Sequence, residues 1–194
     1  MIKIDWDGEE YKLESLDKEI NKFKRAVVRA ARLNLSKLGK NATGNLSKRI
    51  TIKVVVNEFN ISVTPDAGKS TYWDFVDQGV QGVMTNRKAP DSPFRFGTET
   101  GPKGKLVPAI DRWTVVKPVM DVRDKKGRFI PRKRLVRMIA RNVYLHGLET
   151  TNFVSEPLMA QWAKREKDIM AALADDIGKV VDKIVPSKVT LTLK

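Results

Sequence analysis

The clearest periodic signal in the chain lies between Ser15 and Leu38, where Leu16, Ile20, Phe23, Val27, Ala31, Leu35 and Leu38 recur at steps of three and four residues. At about 100° per residue these positions share one stripe. Lys18, Lys22, Arg25, Arg29 and Arg32 fall about half a turn away, on the opposite stripe. The pattern predicts one long amphipathic helix, with Ser15 as its N-cap and Gly39 as its stop. Ahead of it, Ile2, Ile4 and Trp6 alternate with polar neighbours, which predicts a short strand or arm within residues 1–12.

Thr43-Gly44-Asn45 breaks the chain, and the period then shortens to two. Ile50, Ile52, Val54 and Val56 alternate, a turn region covers Asn57–Asn60, and Ile61 and Val63 precede Pro65. This predicts a β-hairpin with one buried face. Residues 71–78 are rich in aromatic side chains and end at Gly79, a pattern for a short helix or strand turn lying on the sheet. From Gly79 to about Pro131 the chain is rich in proline and glycine, interrupted by a helical patch from Pro108 to Val116. A segment of that length without regular structure is either an arm that reaches a partner or a disordered loop.

Two helices follow. Arg132–His146 carries Leu135, Ile139 and Val143 on one face and stops at Gly147, with Leu148 placed for the apolar contact that follows a glycine cap. Ser155-Glu156-Pro157 opens the second with a capping serine, an acid and a proline. It runs to about Val185 on Leu158, Trp162, Ile169, Leu173, Ile177, Val181 and Ile184, and Pro186 ends it. In the tail Val189, Leu191 and Leu193 alternate with polar residues, predicting a strand for this sheet or a neighbouring subunit's. The length of 194 residues suits a single domain, with 80–131 as an inserted loop or arm and 187–194 as a C-terminal strand or tail.

Composition sharpens this picture in two respects. The chain has no cysteine, which excludes disulfides and thiolate zinc sites and suits a reducing cytoplasm. No apolar run reaches the roughly 18–20 residues of a membrane span. The first residues are acidic and polar, unlike a signal peptide, so the expectation is synthesis in the cytoplasm and no membrane attachment. Lys and Arg number 37 against 23 Asp and Glu, a formal net charge of +14. Such an excess attracts polyanions: nucleic acid, an acidic membrane surface or an acidic protein face.

The search for chemistry gives little. His146 is the sole histidine and sits at a helix end, where the dipole favours it as a partner for the last carbonyls. Nucleophile elbows, phosphate loops and His-Glu-x-x-His helices are missing. Asp74 with Asp77 and Asp175 with Asp176 read as solvated charges on helices, although Asp74 and Asp77 are also spaced to form a carboxylate pair. No catalytic residue, metal or cofactor is expected. The basic segment is the strongest physical feature: nine Lys or Arg and one acid, Asp124, lie between Arg123 and Arg141. Arg123, Lys125, Lys126, Arg128, Arg132, Lys133 and Arg134 are candidates to touch phosphates or an acidic partner, the other reading being a solvated loop. Without an aromatic stacking series, zinc-finger spacing or RNP motif, base-specific reading is not expected.

Three landmarks in order carry a family resemblance. Thr43-Gly44-Asn45-Leu46 before a hairpin, Tyr72-Trp73-Asp74-Phe75-Val76-Asp77-Gln78-Gly79, and GLETTNFVSEPL from Gly147 to Leu158 are similar to motifs of tailed-bacteriophage tail-component and tail-completion proteins. Aspartate stands at 77 where glutamate is common in that family, and residues 80–131 are longer than its usual loop. The resemblance covers roughly residues 15–80 and 135–185. It implies an α+β subunit, a small antiparallel sheet packed by the long N-terminal and C-terminal helices. It also implies a virion structural protein that forms a ring at the head–tail junction. The expected partners are other copies in a cyclic homo-oligomer of roughly six or twelve, neighbouring portal, adaptor or tail proteins, and packaged DNA through non-specific contact. Tyr72, Trp73, Phe75, Val189, Leu191 and Leu193 are candidates for the subunit interface, with plain core the favoured reading of the three aromatics. The competing expectation is a basic nucleic-acid-binding protein of packaging-associated or nucleoid type.

Overall fold

The apolar stripe that begins at Leu16 becomes helix α1 (Glu14–Lys37). In it Leu16, Ile20, Phe23, Val27, Ala31 and Leu35 are buried, while Leu38, just past the helix end, is exposed. The computed structural model describes residues 2–6, 9–40, 44–57, 60–66, 72–97, 106–117 and 122–184. The expected C-terminal strand, with Val189, Leu191 and Leu193, lies outside the described residues. The fold is α+β, and its described part divides into two compact units.

One unit gathers Met1–Ala30, Thr51–Asp66 and Glu156–Lys194. Strands β1 (Lys3–Trp6) and β2 (Glu9–Lys12) pair antiparallel, from Lys3 opposite Lys12 to Trp6 opposite Glu9. Strands β3 (Thr51–Asn57) and β4 (Asn60–Asp66) form the hairpin read from the alternation, Asn57 pairing with Asn60. Ile52 is buried while Thr51, Lys53 and Val55 are exposed, as a one-sided strand requires. The hairpin continues through Pro65, opposite Ile52, as a two-stranded ladder permits because each strand is an edge. Within this unit α1 packs on α6 (Ser155–Ile184), Phe23 meeting Trp162 edge-on at 5.8 Å.

Two expectations about these helices need correction. Ser15 is not the N-cap of α1: it sits inside the first turn and donates from its hydroxyl to Asp175 Oδ2 at 2.9 Å. The free amide of Leu16 is met by Asp176 Oδ2 at 2.8 Å, from α6. Nor do Ile177, Val181 and Ile184 form the buried stripe of α6, because they are exposed. The buried line passes through Ile169, Asp176 and Val180, since the carboxylate serving α1 must face inward and turns the following residues toward solvent.

The second unit comprises Ala31–Ile50 and Ala67–Ser155. Gly44, at φ 72, starts the single turn α2 (Asn45–Arg49), which buries Leu46. Helices α3 (Trp73–Asp77), α4 (Leu106–Val116) and α5 (Arg132–His146) follow. On α5 the buried positions are Val136, Ala140 and Tyr144, one residue round from the predicted face, with Leu135, Ile139 and Val143 half-buried beside them. Tyr144 lies on the inner face and donates from its hydroxyl to Gly97 O at 2.7 Å.

Residues 80–97 have little regular structure but are firmly pinned. Val80 and Leu148 exchange backbone hydrogen bonds of 3.1 and 2.8 Å, and Gln81 bonds Phe94 and Phe96 through its backbone. The Gln81 amide also donates to Pro90 O and Ser92 O at 3.0 and 2.9 Å. Gly147, with φ 76 and ψ −177, ends α5 in a conformation open essentially to glycine alone. A Cβ there would lie 2.1 Å from Val80 O. Leu148 is exposed and contributes its backbone rather than the apolar contact expected of it. Among the described residues no helix is long and apolar enough to cross a membrane.

Asp176 generates a prediction. Burial pushes its pKa up, but the Leu16 amide, Ser15 and the Lys179 charge outweigh that and hold it below the ordinary carboxylate value. The unfolded value is about 3.9. The stabilisation is therefore fully present above that pH and fades as pH falls through the lowered folded value. Asp176→Asn should cost about 1–3 kcal/mol at neutral pH. In urea melts, the gap from the native protein should close as the pH is taken below about 4.

Candidate functional site

The Tyr72–Gly79 segment and the loop that opens α6 are far apart in sequence but interlock in the structure. Helix α3 is one turn, too short to be stable by itself, and its last residue, Asp77, is fully buried. Its Oδ1 accepts from the amides of Val154 and Ser155 at 2.8 and 3.4 Å, and its Oδ2 from the Ser155 hydroxyl. The Asp77 carbonyl accepts from Thr151 N and Asn152 N, both at 2.9 Å. Thr151 and Thr150 donate from their hydroxyls to Val76 O at 2.6 Å and Gln78 O at 2.8 Å. Ser155 is thus not the cap of α6 predicted from Ser-Glu-Pro: it donates to the carboxylate that does the capping. A negative charge at this place also suits the positive end of the helix dipole.

This arrangement is a clamp that fixes α3 to the loop opening α6. Asp77 commits both oxygens to hydrogen bonds, and among the described residues no group of three His, Asp or Glu side chains is placed to hold a metal ion. Asp74 Oδ1 is buried without a hydrogen-bond partner. Burial, then the Asp77 charge, hold its carboxyl above the ordinary carboxylate range. Phe75 packs on Phe94, ring centroids 4.5 Å apart, yet it and Tyr72 remain partly open to solvent; Trp73 is half-buried. His146, in the last turn of α5, is half-buried. In the other unit, a cleft of about 340 Å³ beside the start of α1 is lined by opposing charges, among them Glu10, Lys12, Glu14 and Lys183.

The basic segment divides into engaged and unengaged cations. Arg123 lies 3.9 Å over the Phe129 ring and donates to Gly127 O at 2.9 Å, closing a small turn whose ends pair as an isolated bridge. Arg128 pairs with Asp124 at 3.0 Å. The Arg128 amide and side chain, with the Lys126 amide, hold that carboxyl below its usual range despite some burial. Arg132 reaches Asp111 at 2.8 Å and bonds its carbonyl and Thr114 Oγ1, tying α5 to α4. Lys125, Lys126, Lys133 and Arg134 are exposed and form no salt bridge among the described residues. Arg137 and Arg141, which were not singled out from the sequence, extend the same exposed face. Comparison with family models, with curated proteins and with solved structures found no match.

The clamp was hidden from sequence reading because its halves are 77 residues apart. The one available signal was an aspartate directly before a Gln-Gly turn, within an otherwise aromatic segment. Asp77→Ala should leave the Val154 amide buried without an acceptor and destabilise the fold by about 2–4 kcal/mol. Chemical denaturation monitored by tryptophan fluorescence reads this directly. Asp74→Ala removes a carboxyl whose buried Oδ1 has no partner, and should cost much less.

Proposed function

We propose that this chain is a structural subunit of a tailed-phage particle, one that closes into a ring at the head–tail junction as a neck or tail-completion protein. The observation that carries the reading is the Asp77 clamp. Two of the three landmarks that resemble the tail-completion family meet in it, one supplying the carboxylate and the other the amides of Val154 and Ser155. Sequence similarity of short motifs is weak evidence taken singly; segments that depend on each other physically are a stronger reason to compare them as a set.

A second feature agrees with an assembling subunit. Met159, Met170, Ile177, Val181 and Ile184 are exposed along α6. At 100° per residue they fall on one side of the helix. Gly178 lies in the same stretch with nothing near the place of its missing Cβ. A glycine in a helix interior costs about 1 kcal/mol relative to alanine, and no packing contact among the described residues accounts for it. Contiguous exposed apolar surface of this kind marks interaction sites. In a ring, a neighbouring copy would cover it through a heterologous contact.

The test is to purify particles of the phage that carries this gene, identify their proteins by mass spectrometry and image the neck by electron cryomicroscopy. The expected result is this chain as a stoichiometric ring between portal and tail. Its absence from mature particles would sink the proposal. Ile177→Lys with Val181→Lys should leave the monomer folded by circular dichroism and reduce incorporation into particles at least about tenfold, the scale of losing an apolar contact of ~1.4 kcal/mol or more.

A further inference from the structure

We propose that the solvent face of α5, with the basic turn that precedes it, binds the phosphate backbone of duplex DNA without regard to sequence. The proposal goes beyond the ring assignment and does not depend on it. Its starting point is the separation of the cations. With Arg128 and Arg132 held by carboxylates and Arg123 by a ring and a carbonyl, the exposed charges without a salt bridge among the described residues are Lys125, Lys126, Lys133, Arg134, Arg137 and Arg141. Helix α5 contains no acidic residue to offset them.

Their placement suits a line of phosphates. Arg134, Arg137 and Arg141 are spaced i, i+3, i+7, so they lie on one side of the helix over about 10 Å of rise. Duplex DNA presents about six phosphates in the same length, counting both strands. Guanidinium groups also match phosphate oxygens two at a time. The local electrostatics are only partly balanced in the free protein, by Asp111 at Arg132 and by Asp124 near Arg134. Arg132, Lys133 and Arg134 occupy the first turn of α5, the positive end of the helix dipole, with no acid there and no side-chain cap. An anionic partner relieves both repulsions at once.

An acidic protein face would meet the same charges, but the surface is poor in what protein interfaces use. Their centres are built on desolvated aromatic and apolar anchors. Here Arg123 occupies one face of the otherwise exposed Phe129 ring, and Met138 is the large apolar residue open on α5 itself, so two scattered side chains stand where a protein interface would need a cluster. Phosphate contacts need no such centre. The face also lacks a row of amide side chains for reading base edges, so contact confined to the backbone follows.

The test uses the full-length protein and a fluorescently labelled duplex of about 30 base pairs and arbitrary sequence, with binding followed by anisotropy from low to moderate salt. Log affinity should fall linearly with log salt, equally for unrelated sequences. Arg134→Gln, Arg137→Gln and Arg141→Gln together should reduce the slope by about three and the affinity at least about tenfold. The single change Arg137→Gln should reduce the slope by about one. A control that removes the same charge from the exposed side of α1, Lys18→Gln with Arg25→Gln and Arg29→Gln, should change the slope little. Circular dichroism melts verify that each variant is folded. No binding at low salt overturns the proposal, and so does an equal loss in the α1 control, which would reduce the effect to net charge. Competition by polyglutamate as strong as that by unlabelled duplex, at equal charge, overturns it in favour of an acidic protein partner.

Discussion

Amide hydrogens at the start of a helix have no partner within it, and the structure depends on how two buried aspartates supply one. Asp77 receives the first amides of α6, and Asp176 receives the Leu16 amide of α1. These are the two longest helices among the described residues. A buried carboxylate is costly unless hydrogen bonds replace its water, and an unmet buried amide is costly in its own right. Each of these contacts settles both demands together. Much else in the structure follows. The turn at Gly79 carries the chain away from the Asp77 clamp, and the inward facing of Asp176 sets which side of α6 is buried.

Several elements could be read from the sequence because their cause is local. The α1 stripe, the β3–β4 alternation and the span of α5 depend on periodicity and on glycine or proline at the ends, and each is found as expected. The helix caps were misread because Ser15 and Ser155 satisfy the local rule while the acceptors lie 160 and 77 residues away. The α5 face was displaced by one residue because Ala140 and Tyr144 are ambiguous in a hydrophobicity pattern, whereas Leu135, Ile139 and Val143 are not. Ile177, Val181 and Ile184 looked like core for the same reason: an apolar residue at helical spacing carries no mark of whether its partner is in the same chain.

The basic segment shows a similar limit. Its charge was plain from composition, but which cations are spent inside the fold was not. Asp111, which holds Arg132, belongs to a helical patch that looked unrelated. Once those internal pairs are removed, the exposed charge that remains runs from Arg134, named from the sequence, to Arg137 and Arg141, which were counted in the basic run but not named as contacts.

The separation of 160 residues between Leu16 and Asp176 also orders events during synthesis. A ribosome adds about 5–20 residues per second, so the N-terminal turn of α1 is made roughly ten to thirty seconds before its acceptor. For that interval α1 is an amphipathic helix with its apolar stripe uncovered and its first amides unmet, and it must be fraying or held by something else. The nascent chain is therefore most exposed to chaperones and proteases near its beginning, and a ribosome that stalls before Asp176 releases a fragment that lacks the acceptor for the start of its own first helix.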